Sequence, residues 1–208
     1  MVTLICEELM SYLAFACAVF LLIISPGPIV SLVISQSQYS IPKRIIAGTV
    51  ISAQILLAIS FLLLMYAINI NGQALNILQG LGGLYLLYIA AHSFYEIHQA
   101  KEEESSVEES VDFWMALKLG LSNPKDILFL VAFLPSFIAV NGQFTVHAIC
   151  LMLIWLAIDI SIMLMYSVLA NKIFQWKSGQ KVLTIVPCFT ILAFGCIALW
   201  QSVSGLLA

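Results

Sequence analysis

Ser25-Pro26-Gly27-Pro28 interrupts an apolar run that extends from residue 9 to residue 40, and Asn123-Pro124-Lys125-Asp126 interrupts a second run, from 113 to 138. Proline lacks the N–H that a helix uses, and its ring clashes with the preceding turn; Gly27 adds backbone freedom. Each motif therefore opens a helix in the middle of an otherwise apolar segment. Aligning Pro26 with Pro124 sets an offset of 98 residues. The offset pairs Ser25 with Asn123, Ile29 with Ile127, Val30 with Leu128 and Leu32 with Leu130, and carries the apolar run 45–68 onto 144–170. The run 74–95 falls about ten residues short of 182–206, so the register drifts.

Composition says where such a chain lives. Hydrophobic residues make up 62% of the 208 residues and charged residues 9%, with a mean hydropathy of +1.06. Soluble domains hold about 45–50% apolar and about 25% charged residues. Eight basic and eleven acidic side chains cannot cover a globule of this size with a polar skin. A soluble enzyme, a nucleic-acid binder and a disordered chain are excluded, and a polytopic membrane protein remains. A span takes about 20 apolar residues, and six such runs are present, at 9–40, 45–68, 74–95, 113–138, 144–170 and 182–206. The expected fold is all-α, six transmembrane helices as two three-helix repeats, with helices one and four broken at the proline motifs. Three is odd, so the second repeat enters from the opposite face and the repeats are inverted. The units are 1–95, an acidic linker at 96–112, and 113–208. The linker holds Glu96, Glu102, Glu103, Glu104, Glu108, Glu109 and Asp112 with Lys101 as its only base, and reads as a solvated connection. Glu7 and Glu8 precede the first apolar run, which is too long for a signal-peptide core.

The net charge of −3 says less than its placement. Lys43, Arg44, Lys101, Lys118, Lys172, Lys177 and Lys181 all fall on one side of a six-span weave. The positive-inside rule makes that side, linker included, cytoplasmic and puts both termini outside.

Three charges lie deep in the spans. Counting from residue 113, Lys125 is about 18 Å along its helix, and Asp126 follows it. Asp159 is the sixteenth residue of span five, with Trp155, Met163 and Tyr166 on its face. Ionisable groups inside a membrane are costly and mark functional sites. A lone carboxylate at that depth needs a proton or a cationic partner, and Lys125 is the base at comparable depth. The plain alternatives are a snorkelling lysine, a helix-capping Asp126 and a protonated Asp159 bridging helices. The half-helix that restarts after Pro28 directs free N–H groups and a partial positive charge at the break, which suits a carboxylate; a structural kink is the alternative. Gln54 and Ser52 are candidates to face the cavity, while Gly80, Gly82 and Gly83, and Gly48 with Ser52, fit close helix packing. His92, His98 and His147 read as interface residues near span ends. Cys6, Cys17, Cys150, Cys188 and Cys196 are scattered and read as small buried hydrophobes. No metal-ligand spacing, nucleophile elbow or phosphate-binding loop is present.

These motifs carry a family likeness. Ser25-Pro26-Gly27-Pro28, Gly82-Gly83-Leu84-Tyr85-Leu86, the stretch Phe113 to Lys125 with Phe129 and Phe133-Leu134-Pro135-Ser136-Phe137, and Asp159 with Tyr166 and Ala170 resemble, in order and over nearly the whole chain, the LysE/RhtB family of bacterial amino-acid exporters. Asp126 stands where that family usually has a small residue, and Ile41-Pro42 where it has a glycine.

The resemblance implies a secondary transporter, not an enzyme. It would export amino acids or related metabolites across the bacterial inner membrane by proton antiport, with no cofactor or metal and no nucleic-acid partner. A homodimer is one assembly open to it. Ser25, Pro26, Gly27, Pro28, Asn123, Pro124, Lys125, Gln54 and Tyr166 are the candidates for substrate binding. Asp159 and Asp126 are the candidates for proton coupling. One repeat rocking against the other would alternate access. Two other readings stand. One is a heavy-metal or organic-cation exporter, which Asp126 plus Asp159 would favour. The other is a membrane-embedded thiol redox protein, which would need paired cysteines.

Overall fold

The computed structural model describes residues 2–24, 27–37, 40–68, 72–99, 111–137, 144–175 and 177–207. Ser25, Pro26 and most of the acidic linker lie outside the described residues. The described residues are helical and contain no strand. The chain runs through α1 (Val2–Ile24), α2 (Pro28–Gln36), α3 (Lys43–Ile68), α4 (Gly72–Gln99), α5 (Phe113–Leu121), α6 (Pro124–Phe133), a 3-10 turn (Leu134–Phe137), α7 (Phe144–Gln175) and α8 (Lys177–Leu207).

Helix ends follow local chemistry. Asp112 caps α5 by accepting from the Met115 N–H at 2.9 Å. Pro28 and Pro124 each occupy the first helical position, where the missing N–H costs nothing. Both broken segments therefore restart as new helices, α2 after α1 and α6 after α5. The axes of α1 and α2 are inclined by 59°.

Among the described residues, three single helices are long and apolar enough to cross a membrane, over Lys43–Tyr66, Phe144–Ala170 and Cys188–Leu206. Leu9–Ile24 with Pro28–Gln36 makes a bent fourth. Length and apolarity alone thus yield three or four spans, fewer than the six expected. α4 has the length, at 28 residues, but carries Gln73, Asn76, Gln79, His92 and Glu96. The α5–α6 pair is split by its break and carries Lys118, Lys125 and Asp126.

The core is mostly apolar, but Thr49, Ser52, Asn123, Lys125, Asp126 and Asp159 are buried in it, while Leu63, Leu153, Val168 and Trp200 are exposed. Large apolar side chains on the outside suit a surface that faces lipid. His147, expected at an interface, is buried and stacks on Tyr12 with ring centroids 4.7 Å apart, because α1 packs over the first turn of α7.

Packing is most extensive between α4 and α8, followed by α3 with α5, α4 with α6, and α1 with α7. Each of these pairs joins the first half of the chain to the second. A Cβ on Gly83 would sit 3.1 Å from the Gly195 carbonyl, and one on Gly195 3.1 Å from the Gly83 carbonyl. The two backbones approach closely because neither residue has a side chain. At one end, Gln79 Nε2 donates to Ser136 Oγ at 3.0 Å and to Gln201 Oε1 at 2.7 Å, tying α4, the 3-10 turn and α8 together. These contacts tie the two halves of the chain together in this conformation.

Candidate functional site

The last carbonyls of α1 have no partner within their own helix. Lys125 Nζ, from α6, donates to the Leu22 carbonyl at 2.6 Å. The Tyr166 hydroxyl, from α7, donates to the Ile24 carbonyl at 2.5 Å. The negative end of the α1 dipole thus meets an ammonium and a hydroxyl, a favourable pairing. Across the break, Gly27 is the N-cap of α2 and offers no side-chain acceptor. A Cβ there would lie 3.8 Å from Lys125 Nζ, so Gly27 faces the ammonium directly.

The α6 break is built differently. Asn123 is its N-cap: its Oδ1 accepts from the Lys125 N–H at 3.3 Å, and its Nδ2 donates to Asp126 Oδ2 at 2.8 Å. Asn123 and Asp126 stand three residues apart, as in a capping box. Asp126 is therefore held by the end of its own helix.

These groups enclose one small cavity of about 20 Å³. Gly27, Asn123, Lys125, Asp126 and Asp159 line it, with Thr49 as a further polar neighbour. Ile23, Ile29, Val30, Ala53, Trp155 and Met163 supply an apolar wall. A cavity this size has room for about one water, so an amino acid fits only after the walls part. Lys125, Asp126 and Asp159 are all buried and close enough to act on one another electrostatically. With all three ionised they sum to one negative charge. A net charge in a buried site is costly.

On one side of the cavity, toward the start of α7 and the end of α6, aromatic rings fill the bundle. Phe129 packs against Phe133, Trp155 and Phe194, and Phe15 against Phe137 and Trp155, at centroid distances of 5.3 to 6.3 Å. Between the end of α2 and α7, Ser37 Oγ donates to Ser167 Oγ at 2.9 Å.

Several expected site residues stand elsewhere. Ser25 and Pro26 lie outside the described residues. Pro28 and Pro124 are exposed, shaping the breaks without lining the cavity. Gln54 is turned aside: its Nε2 donates to the Met152 carbonyl at 3.4 Å, joining α3 to α7, while its neighbour Ala53 faces the cavity. Successive helical residues diverge by about 100°, which accounts for the miss. Tyr166 acts on the α1 terminus rather than on the cavity. Cys17, Cys150 and Cys196 are unbridged thiols, and among the described residues no cysteine lines the cavity. Among the described residues no three His, Cys, Asp or Glu side chains gather into a metal-ligand group. Trp155 and Met163, four residues before and after Asp159, line the cavity on the face expected from sequence, whereas Thr49, Ile23 and Ala53 were not singled out.

The family description "LysE type translocator" matches residues 20–202, nearly the whole chain. The chain belongs to the LysE type translocator family. Among curated relatives, this translocator is 27% identical over 140 residues to the leucine efflux protein of Klebsiella pneumoniae subsp. pneumoniae, covering 64% of the chain and 66% of the relative. It is 30% identical over 142 residues to the leucine efflux protein of Salmonella choleraesuis, covering 65% and 67%. The match to the translocator thus spans about two thirds of the length of these relatives. No solved structure matches it.

Proposed function

We propose that the translocator is a secondary transporter that exports α-amino acids with apolar side chains from the cytoplasm across the bacterial inner membrane, in exchange for protons. The observation that carries this reading is the cavity between the broken helices, where one ammonium and two carboxylates sit inside an apolar wall. An α-amino acid is a zwitterion with a side chain, and the cavity offers a counterpart for each part. The α2 N-terminus and Lys125 take the carboxylate, Asp159 takes the ammonium, and Ile23, Val30 and Met163 surround the side chain. The leucine efflux relatives favour an aliphatic side chain.

Proton exchange follows from charge balance. The cluster needs one added positive charge, and a proton on Asp159 and a substrate ammonium beside it are alternatives. Binding one releases the other, which couples outward substrate movement to inward proton movement. Asp126, held by Asn123, sets the local charge.

The membrane arrangement completes the proposal. Six spans, with α1–α2 and α5–α6 as broken ones, place both termini outside and 1–95 and 113–208 as inverted repeats about the linker 96–112. The order of broken pair, long helix, long helix occurs twice, in support. Because packing joins the halves, access alternates through the broken helices moving against the rest of the bundle. The conformation described here is a closed one.

The test uses inside-out vesicles that contain the translocator and maintain an acidic interior. Leucine and other aliphatic amino acids are expected to accumulate, and a protonophore is expected to abolish accumulation. Uptake of no amino acid in a broad panel, or uptake indifferent to the protonophore, contradicts the proposal.

A further inference from the structure

Trp155 is 1% exposed and its Nε1–H, also buried, has no hydrogen-bond acceptor in the structure. It is the one buried side-chain polar atom among the described residues left in that condition. An unpaired donor in a dry interior is costly, and native proteins rarely tolerate one without a use. The residue is held in place: its ring packs against Phe15 and Phe129, with centroids 6.3 and 5.8 Å away. The same ring lines the charged cavity.

We infer that Trp155 is a substrate-binding residue that donates its indole N–H to the carboxylate of the transported amino acid and thereby sets specificity for α-amino acids over simple amines. The inference rests on the amino-acid export reading above and deepens it. Indole is a donor only, so its partner must be an acceptor. In a zwitterionic amino acid with an aliphatic side chain, only the carboxylate accepts. Asp159 lies four residues further along α7 on the same face, and the indole N–H makes no hydrogen bond to it. Residues so spaced have Cβ atoms about 5–6 Å apart, a span that the ammonium and carboxylate of one α-carbon can bridge. Lys125 gives one of its three N–H groups to the Leu22 carbonyl and keeps others for the carboxylate, Asn123 holds Asp126, and the indole N–H adds a donor that has no bond to give up.

The experiment compares wild type and Trp155→Phe in inside-out vesicles, with L-leucine as substrate and isoamylamine, which is leucine without its carboxylate, as competitor. Phenylalanine keeps an aromatic ring against Phe15 and Phe129 and removes the N–H. The expected result is a rise in KM for leucine of about ten- to a hundredfold, the range for a hydrogen bond to a charged group. The maximal rate should be nearly unchanged, and the inhibition constant of isoamylamine should stay within about twofold. A KM for leucine within twofold of wild type, or equal losses for both compounds, overturns the inference. A second measurement does not depend on how well Trp155→Phe folds. With Trp114, Trp176 and Trp200 replaced by Phe, leucine is expected to shift the remaining fluorescence, whereas isoamylamine is not; no shift with leucine overturns the inference. If wild type carries no amino acid at all, the export reading fails and this inference falls with it. Wild-type transport with an unaffected Trp155→Phe removes this inference alone.

Discussion

Gly27 and Lys125 are paired by the 98-residue offset, and the fold sets them face to face. The first half contributes bare backbone there and the second a long cation. A methyl at position 27 would make ordinary contact with Lys125 Nζ at 3.8 Å, whereas a branched side chain must displace it. Gly27→Ala is therefore expected to transport at close to the wild-type rate. Gly27→Val is expected to lose about tenfold or more, since a hydrogen bond to a charged group is worth about 1.5–3 kcal/mol; initial uptake rates check both. Tyr166→Phe removes the hydroxyl that satisfies the Ile24 carbonyl. About 1–3 kcal/mol of stability should go with it, read as a lower Tm in detergent with the protein still folded. At this scale, what the sequence disclosed was charge. Lys125 and Asp159 are conspicuous in apolar runs because almost nothing else there is ionisable. Thr49, Ile23 and Ala53 were not legible because most positions of these helices are apolar or small. Which of them face inward is decided by neighbouring helices, not by local pattern. Gln54 shows the same limit, since its polarity suggested the cavity and one residue of rotation took it to α7.

The helices end where local chemistry demands. Both breaks were legible, because a proline at the first helical position and a small or capping residue before it act within four residues. The partners of the freed carbonyls were not legible, because Lys125 and Tyr166 reach them across more than one hundred positions of sequence. The tight crossing of α4 and α8 belongs to this scale. At Gly83 a Cβ would meet the Ala198 Cβ at 3.0 Å and the Gly195 carbonyl at 3.1 Å, and backbone cannot yield as a flexible side chain does. Gly83→Val is expected to destabilise by about 1–3 kcal/mol, as overpacked cores do, without altering the KM of protein that remains folded. Thermal unfolding and transport on the same preparation separate the two effects.

In the assembled bundle, packing bears on how the repeats could move. Sequence symmetry invites the picture of two bodies rocking, but the strongest packing runs between the halves. Among the described residues, none of α4 or α8 lines the cavity, and the two helices are expected to move as one unit. A Cβ on Gly80 would lie 3.3 Å from the Ser202 Cβ, close to the roughly 3.5–4.5 Å of a disulfide. The pair Gly80→Cys and Ser202→Cys, in a background without the native cysteines, should therefore crosslink on oxidation and still transport. Loss of transport on oxidation, recovered on reduction, would mean that the halves separate during the cycle. Composition alone placed the chain in a membrane, because 19 charges cannot clothe a soluble globule. The number of spans was harder to read, since α4 and the α5–α6 pair trade apolarity for the polar groups that hold the bundle and its site.

The central claim is that a proton and a substrate ammonium compete for Asp159 in the cavity between the broken helices. Asp159→Asn keeps the shape and removes the charge that both would share. In inside-out vesicles, the variant is expected to show no leucine accumulation driven by the proton gradient, while reconstituted protein remains folded and correctly inserted. Accumulation at the wild-type rate and with the wild-type response to a protonophore would contradict the claim.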